Sequence, residues 1–262
     1  MTHQLSTQKI WLARLWRAGF VLGLALVWET SGRLAWIDPE LLPPLSRIFK
    51  MLGRLLSDHR FRGDIVITVL ECLTAFLIVV PLGLFSGFSL AESPKLYKLF
   101  SPVLQLLMTV PKSIFLPVFI LLFGIDFAEK VIFAIVLSYF IIVPTGIAAV
   151  QSIPSGLVAM ARSFGATQSQ IYLRIYLPCA MPLILSGVRL GLIFSMHGII
   201  FAEMYASSEG IGRNILNWGE SFDMERLFAA VMLVLIVTVL INETLQAIET
   251  YARRRTLSGA MH

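Results

Sequence analysis

Apolar and polar positions follow one another along this chain in long blocks. About six apolar blocks approach or reach the length of about 20 residues that a helix needs to cross a bilayer. A helix bonds its own backbone N–H and C=O groups, so it is the open-chain structure that lipid tolerates. The pattern therefore predicts an all-α, polytopic membrane protein with about six transmembrane helices, over residues 18–36, 65–90, 99–123, 131–150, 182–206 and 227–251.

A further helix is predicted between the first two spans, over residues 46–57. Its apolar side chains share one helical face and its basic side chains share another. This pattern suits a helix that lies in the membrane interface, and it equally suits a solvated connecting helix. The apolar face holds Ile48, Leu52, Leu55 and Leu56, and the basic face holds Arg47, Lys50 and Arg54.

Composition agrees with a membrane protein. Of the 262 residues, 57% are hydrophobic and 14% are charged, whereas globular proteins carry about 25% charged residues. No linker, repeat or low-complexity segment separates the apolar blocks, so we expect a single domain over residues 1–262. Cys72 and Cys179 fall in or beside apolar blocks, which indicates packing rather than a disulfide or a metal site.

Charge excludes one class of partner and leaves the orientation open. The net charge of +5 comes from basic residues spread between apolar blocks, a distribution typical of contact with anionic lipid headgroups rather than with nucleic acid. The two sides of the predicted bundle carry nearly equal numbers of Lys and Arg, so the positive-inside rule does not decide between them. No small-residue cleavage site follows the apolar run after Arg14 and Arg17, so we expect a retained first span rather than a signal peptide.

The segment 151–178 is too polar to cross a membrane and too well patterned for a loose loop. A first short amphipathic helix is predicted with Pro154 in its opening turn and Gly165 as its C-terminal stop. A second is predicted to start at Thr167, which forms a capping box with Gln170, and to end at Pro178. The predicted apolar faces hold Leu157, Val158, Ala161 and Phe164 in the first helix, and Ile171, Tyr172 and Ile175 in the second.

Two interpretations fit the 151–178 segment on these grounds alone. Two short helices joined at a glycine form a compact projection that could fit a cleft of a soluble partner and transmit force. An ordinary interfacial loop has the same amphipathic pattern.

Motifs in this segment resemble a known family. The run Ala161-Arg162-Ser163-Phe164-Gly165-Ala166, followed by Ile175-Tyr176-Leu177-Pro178, resembles the signature loop of binding-protein-dependent ABC importer permeases. The resemblance extends over roughly residues 40–252 and is closest to the sulfonate, taurine, nitrate and thiamine-precursor permeases. Further matching residues are Pro111, Pro117, Phe123-Gly124-Ile125, Gly187-Val188-Arg189, Ala202-Glu203 and Gly210-Ile211-Gly212.

This resemblance implies a mechanism and a set of partners. The 151–178 segment would be the cytoplasmic coupling loop between transmembrane helices four and five, with both termini cytoplasmic, in a bacterial inner membrane. Its ATPase-coupling residues would be Ala161, Arg162, Phe164, Gly165, Ala166, Ile171, Tyr172, Ile175 and Pro178.

The implied partners are ATP-binding-cassette ATPase subunits, an external substrate-binding protein and a second permease subunit, expected to form a homodimer. The chain itself would bind no cofactor, since ATP and Mg²⁺ are used by the ATPase, and it would transport a small solute by alternating access. The solute would be a small anion such as a sulfonate or nitrate, or a thiamine-type precursor. Ala159 stands where the family usually has a glutamate, so whatever that carboxylate contacts in relatives is missing here.

Polar residues inside the predicted spans are candidates for a translocation pathway, because ionisable groups are costly in lipid. Lys112 follows Pro111 in the third span, and a buried ammonium there would favour an anionic solute; snorkelling or pairing with a carboxylate explains it equally. Ser195 belongs to a stripe of small residues in the fifth span that predicts tight packing, a subunit interface or a pathway. His197 and Glu203 complete the set, with packing as the alternative for His197.

Missing motifs argue against a catalytic chain. No lysine follows a glycine, so there is no P-loop to hold ATP phosphates, and neither H-E-x-x-H nor G-x-S-x-G occurs. An ion-coupled secondary transporter should show inverted repeats, which are absent here. A lipid-modifying membrane enzyme would need clustered acid, base or metal-binding residues. Both classes stay as alternatives to the importer permease.

Overall fold

The computed structural model describes the backbone of residues 2–259 and the side chains of residues 16, 19–247, 249 and 250. This part of the chain is helical, as predicted. Its helices are α1 Thr2–Arg33, α2 Leu45–Ser57, α3 His59–Glu92, α4 Pro94–Thr109, α5 Leu116–Phe123, α6 Phe127–Gln151, α7 Ser155–Ser163, α8 Gln168–Ile171, α9 Leu177–Ala206, α10 Ile211–Glu220 and α11 Met224–Gly259, with a 3-10 turn at Lys112–Phe115 and a π-helical turn at Tyr172–Tyr176.

The chain divides into two compact units, of which the first holds residues up to Arg62 and Asn214–Val234. The predicted amphipathic helix is confirmed here as α2, which buries Ile48, Leu52 and Leu55 and leaves Leu56 exposed. The carboxylate of Glu29 accepts hydrogen bonds from the N–H and hydroxyl of Ser46, at 3.0 and 2.8 Å. The Glu29 carboxylate thus accepts a bond from an N–H in the first turn of α2, where N–H groups have no partner within the helix.

The second unit holds Gly63–Arg213 and the chain from Leu235 onward. Its centre is the packing of α3, α6 and α9, where glycines allow close helix approach. A Cβ atom at Gly87 of α3 would lie 2.6 Å from the Val143 carbonyl oxygen of α6, and one at Gly198 of α9 would lie 2.7 Å from the Ala134 Cα of α6. The small-residue stripe of α9 therefore packs on α6 in this unit. A single domain over residues 1–262 stays a prediction.

Four described helices are long and apolar enough to cross a membrane, or five if the bent pair α4 and α5 forms one span. They correspond to five of the predicted spans. The other predicted span, 18–36, falls mainly in α1, which begins in residues whose side chains lie outside the described part. The charges of Lys9, Arg14, Arg17 and Arg253 to Arg255, used for orientation, also lie outside it.

The third predicted span, 99–123, is not one straight helix. α4 ends at Thr109, and the helical chain resumes at Lys112 after a bend of 82°. Pro111 has no N–H to donate to the preceding turn, and its ring excludes a regular helix through this point. Val110 and Pro111 accordingly adopt extended backbone angles. The predicted third span is therefore a bent pair of helices, broken at the proline that the sequence places inside it.

Pro178 does not end the helix that contains it, contrary to the prediction. α8, the π-helical turn and α9 form one helical run, Gln168–Ala206. Leu177 N–H bonds to the Tyr172 carbonyl, five residues back, as in a π-helix. A wider turn accommodates the proline ring, which would otherwise clash with the carbonyl four residues before it.

Candidate functional site

The first helix of the 151–178 segment has the limits that the sequence predicts. α7 starts after Pro154, whose φ of −62° suits a helix start, and it ends before Phe164 and Gly165. Gly165 has φ +76°, a left-handed conformation that costs a residue with a Cβ about 1–2 kcal/mol. The Gly165 and Ala166 N–H groups bond to the carbonyls of Arg162 and Ala161, at 2.9 and 3.0 Å. These bonds close the C-terminus of α7.

The second helix starts with the predicted capping box. Thr167 Oγ1 accepts from the Gln170 N–H at 3.4 Å, and Gln170 Oε1 accepts from the Thr167 N–H at 2.9 Å. Two N–H groups that have no partner within the helix are thereby bonded. Ile171 follows and is buried, so α8 is held to the rest of its unit by an apolar contact.

The face of α7 that the sequence predicts to be apolar has no buried residue. Phe164, at its end, is 85% exposed, and Leu157 is 40% exposed. Arg162 is exposed beside them, and Ala161 and Ala166 are half-buried. Ala159, where the resembling family has a glutamate, is also exposed on α7. Within this chain, the projection therefore presents an aromatic ring, a guanidinium and a glycine turn that no other described element covers.

The second helix is tied to α3 by a side-chain contact. The Tyr172 hydroxyl donates to Glu92 Oε1, 80 residues away at the end of α3. The Tyr172 and Tyr176 rings lie 4.9 Å apart, centroid to centroid. Ile175 and Pro178, the remaining predicted coupling residues, are half-buried. The structure thus brings the predicted coupling residues together in one segment, with one anchor on α3.

Lys112 lies in the 3-10 turn at the break between α4 and α5, next to the exposed Pro111. Its Nζ donates to the Met108 and Val110 carbonyls, both at 3.4 Å. It also lies 5.1 Å from the centroid of the Phe140 ring of α6. Lys112 therefore satisfies backbone carbonyls that the broken helix leaves without N–H partners, and it makes a cation–π contact.

Ser195 and His197 lie on different sides of α9. Ser195 is buried and its hydroxyl lies 3.1 Å from that of Ser138 on α6, within the helix packing. His197 is exposed; its Nδ1 lies 2.9 Å from the Ile193 carbonyl oxygen, and its ring is beside Phe194. The two residues are thus not brought together in this chain. A pathway role for either stays a prediction.

Glu203 lies in the last turn of α9 and is fully buried. Its Oε1 accepts from the Thr68 hydroxyl of α3 at 2.6 Å, and its Oε2 accepts from the Gly212 N–H of α10 at 2.7 Å. Both carboxylate oxygens are therefore used within the chain, which is the usual condition for burying a charged group.

Glu203 belongs to a buried polar cluster, which we define as Thr68, Glu71, Glu129, Lys130 and Glu203. Lys130 of α6 forms an ion pair with Glu71 of α3, and both are buried. Neither Glu129 carboxylate oxygen has a partner among the described residues. The cluster lies at the start of α6 and the end of α9, opposite the 151–178 segment, which joins the other ends of these helices. In the described part of the chain, no three His, Cys, Asp or Glu side chains are arranged to hold a metal ion.

Sequence reasoning did not identify most of this cluster. Asp64, Thr68 and Glu71 recur at spacings of four and three residues, which places them on one face of α3. A polar stripe at the start of a predicted span was the available signal. Lys130 lies just before the predicted fourth span, and its pairing with Glu71 joins positions 59 residues apart in sequence, which periodicity does not reveal.

Comparison with known proteins supports the resemblance. Residues 79–257 match the family described as binding-protein-dependent transport system inner membrane component. The taurine transport system permease protein TauC of Escherichia coli is 27% identical over 88% of this chain and 86% of its own. The putative aliphatic sulfonates transport permease protein SsuC of Bacillus subtilis is 27% identical over 89% and 86%. The glycine betaine/proline betaine permease protein ProW of Salmonella typhimurium is 31% identical over 72% and 53%.

Solved structures are similar in fold. An inward-facing form of the MetNI methionine ABC transporter has a TM-score of 0.58 at 21% identity, over 71% of this chain and 91% of that chain. An amino acid ABC transporter, crystallised with histidines, has a TM-score of 0.58 at 18% identity, over 78% and 98%. At these identities, the likeness concerns the fold.

The family match decides between the function classes that the sequence left open. It confirms a non-catalytic membrane component that has no cofactor of its own, while ATP is used by a partner subunit. A binding-protein-dependent system also implies an ATPase and a substrate-binding protein as partners. The secondary transporter and the lipid-modifying enzyme are thereby set aside. The chain belongs to the family of multi-pass inner-membrane permease components of binding-protein-dependent ABC importers.

Proposed function

We propose that this chain imports a small sulfonate, such as taurine, and that its 151–178 segment docks on the ATPase subunits from the cytoplasmic side. The proposal includes a second copy of the chain, so that two such segments couple ATP-driven closure to the two halves of the pathway. The observation that carries it is the uncovered end of α7, where Phe164 is 85% exposed beside the left-handed Gly165.

The exposed side chains at this end of α7 suit contact with a soluble partner. An exposed aromatic ring next to an arginine is the kind of anchor that protein interfaces bury. The second helix is fixed by its capping box, by buried Ile171 and by Tyr172 on Glu92. A projection that is fixed at its base and uncovered at its tip can transmit a displacement of the partner to α3, α6 and α9.

The proposed topology follows from this docking. The 151–178 segment joins α6 to α9, so a cytoplasmic position for it puts the buried polar cluster at the outer end of these helices. We further propose that α1 makes the sixth crossing and that both termini are cytoplasmic, as the six predicted spans require.

The solute assignment rests on the relatives. The taurine and aliphatic sulfonate permeases each align with most of this chain. The betaine permease has a higher sequence identity to this chain, but it aligns with a smaller part of it, 72%. Lys112 supports an anionic solute, because it is a cation at the break of the α4–α5 helix pair, although its Nζ also contacts carbonyls there.

The experiment is ATP-driven taurine uptake into vesicles that contain this chain, its ATPase and its binding protein. Gly165→Glu places a side chain at φ +76° and adds a negative charge beside Phe164. We expect it to stay in the membrane but to lose ATPase co-purification and to lower uptake by about tenfold or more.

The matched control is Gly53→Glu, on α2, where an added Cβ also meets nothing within 4 Å. We expect near-normal uptake from it. Normal ATP-dependent uptake by Gly165→Glu would contradict the coupling assignment. Stronger competition by glycine betaine or nitrate than by an alkanesulfonate would contradict the solute assignment.

A further inference from the structure

The turn that joins α9 to α10, residues 207–212, is bonded through three consecutive backbone N–H groups, two to α3 and one to α9. Gly210 N–H donates to Asp64 Oδ1 at 2.9 Å, and Ile211 N–H donates to Thr68 Oγ1 at 3.0 Å. Gly212 N–H donates to Glu203 Oε2 at 2.7 Å. These donors lie at the N-terminus of α10, where N–H groups lack helical partners and where carboxylates are favoured.

The same turn is also bonded to α6. Lys130 Nζ lies 3.1 Å from the Ser207 hydroxyl, and it pairs with Glu71 of α3. At Gly210 the backbone has φ +102°, and a Cβ atom there would overlap the Glu203 carboxylate. Side chains from α3, α6 and α9 therefore determine the position of one six-residue turn, and Glu203 is the group that bonds both α3 and the start of α10.

We propose that Glu203 is a positioning residue: it fixes the 207–212 turn against α3 and acts on transport through this turn, without touching the solute. The inference rests on the proposed function as an importer and deepens it. Glu203 is 0% exposed and both of its oxygens are bonded inside the chain. A fully buried group in this position exposes no surface within this chain to a passing solute.

Two substitutions of Glu203 separate the role of its hydrogen bonds from the role of its charge. The Thr68 hydroxyl lies 3.0 Å from the Asp64 carbonyl oxygen, a second acceptor for its proton. In Glu203→Gln, the amide oxygen can accept from Gly212 while the amide N–H donates to Thr68, whose proton turns to Asp64. This variant keeps every bond and removes the charge. Glu203→Ala removes the bonds as well and leaves the Gly212 N–H without its acceptor.

A native cysteine reports on the packing of the α3 face that carries Thr68. Cys72 is buried and lies four residues after Thr68, on the same face of α3. The chain has two cysteines, so Cys179→Ser leaves Cys72 as its single thiol. The rate at which N-ethylmaleimide labels Cys72 then measures how often this face of α3 becomes uncovered.

The experiment compares variants in this background, in the complex with ATPase and binding protein. We expect Glu203→Ala to speed Cys72 labelling by about tenfold or more and to lower ATP-driven taurine uptake by a similar factor. We expect Glu203→Gln to leave both rates within about threefold of the parent. If Glu203→Gln lowers uptake as much as Glu203→Ala while Cys72 stays protected, the carboxylate charge acts directly and the proposal is overturned.

A second pair of variants covers the case in which Glu203→Ala does not assemble. Thr68→Val removes the acceptor of Ile211 N–H at nearly constant volume, and Thr68→Ser keeps it. Fast labelling and low uptake in Thr68→Val, restored in Thr68→Ser, support the proposal; parental labelling and uptake in Thr68→Val contradict it. Labelling needs no solute, so a parent complex that fails to transport taurine contradicts the proposed solute and leaves the Cys72 comparison decisive for Glu203.

Discussion

At the scale of single residues, the sequence predicted where small residues pack closely, but it did not predict the partners of buried polar side chains. Small residues at spacings of three and four in α9 predicted close packing, and the α6–α9 contact has it. The partners of Glu203 could not be predicted in the same way. Thr68 lies 135 residues away, and one sequence contains no signal that pairs positions so far apart. The sequence likewise showed the proline that precedes Lys112 and breaks the helix. It did not show that Lys112 contacts backbone carbonyls and the Phe140 ring.

The packing of α9 on α6 gives a prediction at this scale. In Gly198→Leu, the new Cβ would lie 2.7 Å from the Ala134 Cα, a backbone atom that cannot move alone. We expect a loss of about 1–3 kcal/mol in the free energy of unfolding, as for other overpacked sites. Thermal unfolding of the purified protein in detergent measures it.

Gly63→Leu on α3 is the control, because an added Cβ there meets nothing within 4 Å. Leucine is also the better helix former by about 0.5–1 kcal/mol, so we expect equal or higher stability. Equal unfolding temperatures for Gly198→Leu and the parent would contradict the close packing of α6 and α9.

At the scale of elements, local chemistry predicted the Thr167 helix start and the Gly165 helix end, but not the course of the chain at Pro178. The Thr167 capping box and the Gly165 stop depend on neighbours a few residues away, and both are present. The effect of Pro178 depends instead on how the preceding turn adjusts. A π-helical turn at Tyr172–Tyr176 lets the helix continue through it, and the pattern of residues does not specify this adjustment.

The Tyr172–Glu92 contact gives a prediction for these elements. If it carries motion from the 151–178 segment to α3, Tyr172→Phe should lower ATP-driven uptake by about two- to tenfold, the range expected for one hydrogen bond. Glu92→Gln should lower it similarly, and the double variant should be no worse than either single one.

Tyr176→Phe is the matched control, because it keeps the ring pair with Tyr172 and leaves the Tyr172 hydroxyl on Glu92. Uptake should stay near the parent value. Additive losses in the double variant would show that Tyr172 and Glu92 act independently, against a shared contact.

At the scale of the whole molecule, the apolar blocks predicted an all-helical membrane protein, and the family match assigns it to the importer permeases. Charge did not decide which ends of the helices face the cytoplasm, because basic residues are nearly balanced between the two sides. The proposed mechanism requires that the 151–178 segment lies in the cytoplasm and contacts the ATPase. The buried polar cluster then marks the outer end of α6 and α9.

The most direct measurement places a single thiol at the tip of this segment. In a Cys72→Ser, Cys179→Ser background, Phe164→Cys offers an exposed thiol beside Gly165. A membrane-impermeant maleimide should label it in inside-out vesicles and not in intact spheroplasts, and bound ATPase should protect it. Labelling in intact spheroplasts, or labelling in inside-out vesicles that the ATPase leaves unchanged, would contradict the account.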